Sequence, residues 1–152
     1  MTTTQRFPRI DSAMRRAFLL TLALSPIAAS THEYYGADFT LIHPWADATP
    51  EGQLASAPIY FTMESVLGKD RLVRVSTPHA EKVEFRSSDA PSAKELQAID
   101  ITPADKLDFG KERPHMVLRN LKGPLRWGRS YEMTMVFEKA GPMLVMVSVG
   151  AH

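Results

Sequence analysis

Beyond residue 31 apolar and polar positions alternate with a period of two, and the alternating runs are separated by Pro, Gly and Asp. That period puts successive side chains on opposite faces of an extended strand. It predicts strands over Asp38–His43, Ala57–Met63, Arg71–Ser76, Lys82–Ser87, Gln97–Ile101, Lys106–Phe109, His115–Leu118, Ser130–Phe137 and Met143–Val149. Within Ser130–Phe137, Tyr131, Met133, Met135 and Phe137 share one face, and Glu132 and Thr134 share the other. Met143–Val149 is apolar on both faces, which suits a strand in the middle of a sheet. Between these two strands Glu138–Pro142 reads as a hairpin with a five-residue loop. No segment keeps a helical period, although Ser92–Leu96 has room for a single turn. Short strands at such close spacing predict an all-β sandwich or Greek-key barrel. The inward faces predict a core containing Tyr60, Leu72, Val83, Met135, Phe137 and Val145.

The first thirty residues follow a different rule. Arg15-Arg16 precede the apolar run Ala17–Ala29, and small residues close it. Positive charge, a short apolar stretch and small residues at its end make a secretory signal peptide. Pro26 interrupts the run, which is too short to span a bilayer comfortably. Cleavage after Ser30, or after Ala29, leaves one domain over 31–152 and predicts a periplasmic location with no membrane span. Four Arg and one Asp leave with the signal. The 18 Lys+Arg become 14 and the 17 Asp+Glu become 16, a net charge of −2 with His neutral. That balance, with no basic run, recommends no nucleic-acid partner. The absence of Cys excludes disulfides and thiolate metal sites.

Catalytic chemistry finds no support. There is no G-x-S-x-G elbow, no HExxH and no glycine-rich phosphate loop, so the reading is a non-enzyme. What remains is imidazole and thioether, both of which suit copper. The exported portion carries His32, His43, His79, His115 and His152, and Met63, Met116, Met133, Met135, Met143 and Met146. Met133, Met135, Met143 and Met146 also have the plain role of filling an irregular core. His43 precedes Pro44 and Trp45 and has a structural role open to it. After cleavage at Ala29, His32 is the third residue, and amine, amides and imidazole there can make a square-planar Cu(II) site. A frayed terminus is the plainer alternative.

Five ordered segments resemble the periplasmic copper chaperone family PCu(A)C. They are HPWADATPEG at His43–Gly52, PIYFTMES at Pro58–Ser65, DRLVRVSTPHAEKVEF at Asp70–Phe85, HMVLRNLKGPL at His115–Leu125 and MVFEKAGPMLVMVSV at Met135–Val149. The resemblance implies an all-β cupredoxin-like Greek-key β-sandwich. It also implies Cu(I) as the cargo. The partner it implies is a membrane-bound oxidase subunit or another periplasmic copper protein. The family holds Cu(I) with two His and two Met. At the first His position stands Arg86, no Met occurs between Glu64 and Pro114, His115 matches the second His, and Val117 stands where the last Met belongs. His115 and Met116 are the candidate metal residues, but neighbours on a strand face opposite ways. Rescue from His79, Met133 or Met135 is the other route to a site. The alternative function is a metal-free periplasmic binding or interaction protein on the same scaffold.

Overall fold

The computed structural model describes residues 32–150. The signal segment read at 1–30 lies outside the described residues. So do Thr31, Ala151 and His152.

Eleven strands are found among the described residues: β1 Glu33–Tyr35, β2 Thr40–Ala46, β3 Ser56–Val66, β4 Asp70–Ser76, β5 Ala80–Arg86, β6 Glu95–Leu96, β7 Ile99–Ile101, β8 Ala104–Phe109, β9 His115–Leu121, β10 Ser130–Phe137 and β11 Gly141–Val149. They hydrogen-bond in the order β6-β5-β9-β3-β2-β11-β10-β4-β7, with β1 beside β2 and β8 beside β3. Most pairs are antiparallel, whereas β2 and β11 run parallel, with Trp45 opposite Ser148. This is an all-β, Greek-key-like sandwich of the cupredoxin-like kind.

The long strand β3 joins the two layers. Ser56–Ile59 pair with β9 in one layer, and Phe61–Val66 pair with β8 in the other. A strand that serves two sheets turns the corner between them. β2 carries an irregularity between Ile42 and Trp45, where His43 has φ 46° and Pro44 is buried. Proline lacks an N–H for the ladder, so a bulge is where a strand accommodates it.

The two inner faces meet in one core. Leu41, Ile59, Leu72, Met116, Met135 and Val145 are fully buried, and Phe61 stacks on Phe109 at 4.4 Å between ring centroids. Of the predicted core, Tyr60, Leu72, Met135, Phe137 and Val145 are buried, while Val83 is partly buried against the cluster. β11 lies between β2 and β10, the central position its sequence predicts.

Two local expectations need correction. The β10–β11 loop spans three residues, Glu138 to Ala140, rather than five. Gly141 takes φ 78° and pairs with Phe137, so a left-handed residue closes the shorter loop. Residues 92–96 form no helical turn. Glu95 and Leu96 instead pair with Arg86 and Phe85, which lets Leu96 pack on the core.

Asp70 fixes the same hairpin from below. Its carboxylate accepts N–H bonds from Arg71 at 2.8 Å, Lys139 at 2.9 Å and Ala140 at 3.0 Å. Burial alone raises the Asp70 pKa, but the three backbone donors and the Lys139 charge outweigh it and hold the group below its ordinary value.

Candidate functional site

His115 opens β9 and is completely buried. Its register partner on β5 is Arg86, and the next pair along is Met116 with Phe85. Directly opposed residues of an antiparallel pair share a face, and successive residues alternate. His115, Val117 and Arg86 therefore lie on the outer face of the layer, while Met116 points into the core and is fully buried. One donor of the sequence-derived pair faces the candidate site, and the other is packing.

The His115 ring is held at both nitrogens. Nδ1 lies 2.8 Å from the Arg113 carbonyl oxygen. A carbonyl only accepts, so Nδ1 carries a hydrogen. Nε2 is then the nitrogen left for a metal, and Asp89 Oδ1 stands 2.8 Å from it. The two atoms approach within ion-pair distance but outside hydrogen-bond alignment. The other oxygen of Asp89 accepts a hydrogen bond of 2.6 Å from the Tyr60 hydroxyl. The Tyr60 ring lies 5.4 Å from the imidazole and 4.7 Å from Trp45. Burial pushes the Tyr60 phenol well above the ordinary tyrosine range; its bond to Asp89 and the charges of Asp89 and Asp47 push it further.

The surroundings favour polar partners over a soft cation. Ser56, Pro58, Arg86, Ser88, Asp89, Val117 and Arg119 join His115 around an open cavity of about 170 Å³. Arg119 Nε donates to Glu84 at 2.8 Å, and Lys82 reaches Glu84 and Glu95 at 3.0 and 3.3 Å. The Arg119 bond, then the Lys82 bond, hold the Glu84 carboxyl below its ordinary value.

The other possible donors lie elsewhere. His79 precedes Ala80, which pairs with Leu121 at the far end of β9. Six residues of strand put that end roughly 20 Å from His115. His79 packs edge-on against Tyr131 at 5.0 Å, and Met133 and Met135 are buried in the core. Among the described residues, no group of three or more His, Cys, Asp or Glu side chains is placed to hold a metal ion.

Asp89 and Tyr60 are the residues that sequence reasoning missed. Asp89 sits in the loop after β5, the loop from which the family pattern draws a Met. Tyr60 reads as core from its pattern alone. Neither gives a signal of its own, because a loop fold and a strand register bring them together.

A cupredoxin-like sandwich that presents one imidazole at the start of β9, opposite the end of β5, has the build of a PCuAC domain. A family model described as "Putative lipoprotein LpqE-like" matches residues 39–149, and the chain belongs to this LpqE-like family. Its 152 residues contain no cysteine to carry a lipid. Among solved structures, the copper-bound PCuAC domain from PmoF2 is 29% identical, with 80% of this chain and 99% of that one covered and a TM-score of 0.68. The apo PmoF2 PCuAC domain is 30% identical, with coverage of 79% and 95% and a TM-score of 0.66. The apo PCuAC domain from PmoF1 is 26% identical, with coverage of 80% and 100% and a TM-score of 0.70. No curated protein matches. PCuAC domains are a non-catalytic class, which supports the reading of a non-enzyme. No helix among the described residues is long and apolar enough to cross a membrane.

The residues present do not fit the Cu(I) set of the family pattern. One imidazole remains, Met116 is in the core, and a guanidinium stands across from the imidazole. Cu(I) prefers several soft or borderline donors converging on one point.

Proposed function

We propose that this chain is an exported PCuAC-type protein of the copper-handling class that has exchanged its tight Cu(I) site for the Tyr60–Asp89–His115 network. The observation that carries the reading is the direct pairing of Arg86 with His115. A guanidinium stays charged at every physiological pH and opposes a cation placed beside it. His115 remains the single family-type donor, and copper contact through it is weak and short-lived. Met116 takes part only if β9 turns over, at the cost of a buried core side chain.

Periplasmic location is supported by the Arg15–Ser30 segment and by the likeness to PCuAC domains. N-terminal sequencing of the periplasmic form should begin at Ser30 or Thr31. The working partner is a membrane-bound oxidase subunit or another periplasmic copper protein, met through a protein surface more than through a shared metal. Arg86 also favours the second reading, a metal-free binding protein on the same scaffold.

Adding Cu(I) under reducing conditions in the presence of a competing chelator tests the proposal. The chelator should keep the metal. Stoichiometric retention by the wild type, lost in His115→Ala, contradicts it.

A further inference from the structure

A second pair of imidazoles lies on the other layer, and the fold brings them together. β1 pairs with β2 from Tyr35 opposite Thr40 to Glu33 opposite Ile42. The ladder continues one step further: the His43 N–H donates to the His32 carbonyl at 2.9 Å. His32 and His43 thus face each other as a cross-strand pair. Directly opposed side chains in an antiparallel ladder stand close together on one face.

We propose that His32 and His43 form a two-imidazole site for a divalent, imidazole-preferring metal, with Cu(II) the best fit. Imidazole nitrogen suits Cu(II), which heads the affinity order of the first-row divalent metals at such a site. Water completes the coordination. The neighbouring residues leave the pair unobstructed: Glu33, next to His32, turns its carboxylate to the Tyr35 hydroxyl. Burial lowers the His43 pKa, and the nearby His32 lowers it further. Both effects favour the neutral ring, which is the ligating form. His43 also sits in the bulge at φ 46°, so its backbone is set by Pro44 and the register of β2 and not by a metal.

The site is independent of His115 and carries an oxidation state that the family pattern does not. It also differs from a terminal Cu(II) motif at His32, because it requires His43. The experiment is a Cu(II) titration of the full 152-residue chain followed by electron paramagnetic resonance. Wild type is compared with His32→Ala, His43→Asn and His115→Ala. Asn is chosen at position 43 because it tolerates a positive φ. Unchanged circular dichroism and thermal midpoints without metal confirm that each variant folds, and His43→Gln serves if His43→Asn does not. The expected result is a signal with two nitrogen couplings that His32→Ala and His43→Asn each reduce to one coupling, with Kd raised at least about tenfold. His115→Ala should leave the signal unchanged. Binding that survives His43→Asn but not His32→Ala assigns the metal to the terminal segment and overturns the proposal. Binding lost only in His115→Ala also overturns it.

Discussion

Arg86 is the register partner of His115 across β5 and β9. The residue that replaces the first family ligand therefore stands directly opposite the one ligand that is kept. Asp89 and Tyr60 complete the exchange: the carboxylate covers Nε2, and the phenol anchors the carboxylate. A site for a soft cation has become an internal polar network.

Tyr60→Phe tests that network without removing the ring. The variant keeps the packing on Trp45 and loses the 2.6 Å bond to Asp89. A hydrogen bond to a charged acceptor contributes about 1.5–3 kcal/mol, so urea unfolding at neutral pH should show a loss in that range. A change below about half a kcal/mol means that Asp89 does not depend on Tyr60.

The same phenol gives a signature in alkali. Its pKa is raised in the fold, so the folded state keeps a proton that the unfolded state releases near the ordinary tyrosine value of about 10. Stability should therefore fall as pH rises past that value. Absorbance titration of the four tyrosines should show one ionising late, and Tyr60→Phe should remove that phase. Four tyrosines titrating together contradict this placement.

Asp70 works with the opposite sign. Its pKa is depressed in the fold, so its contribution is complete above the unfolded value of about 3.9 and is lost as pH falls below it. Asp70→Ala should cost roughly 2–4 kcal/mol at pH 7 by leaving the Lys139 and Ala140 donors without their acceptor. The gap between variant and wild type should narrow in acid. A gap of the same size at pH 7 and pH 3 excludes the carboxylate as its cause.

Much of the sandwich was legible in the sequence because one buried face imposes a period of two. Tyr131, Met133, Met135 and Phe137 declare the inner face of β10, and the doubly apolar β11 declares a central position. β1 and β6 were missed because two or three residues carry no measurable period. Their existence depends on the neighbours they pair with. At the site, the loss at position 86 and the turned Met116 were legible from strand alternation. The contact of Asp89 with His115 was not. It joins a loop to a strand start, and no spacing rule in the sequence encodes that approach. His32 and His43 were visible only as separate residues until the β1–β2 register set them side by side.

Met135→Ala tests the core itself. Met135 is fully buried between β4 and β11. Truncating such a side chain should cost roughly 2–5 kcal/mol in denaturant unfolding. A near-zero cost means that the side chain is not part of the core.

The account stands most directly on whether the missing Cu(I) affinity is due to the exchanged residues. The measurement is a Cu(I) competition titration against one chelator, run on wild type and on the Arg86→His/Val117→Met double variant. The double variant replaces the opposing guanidinium with an imidazole and puts a thioether on the same face of β9 as His115. The account predicts that wild type yields its copper and that the double variant retains more of it. Tight, stoichiometric binding by wild type that His115→Ala abolishes would contradict it.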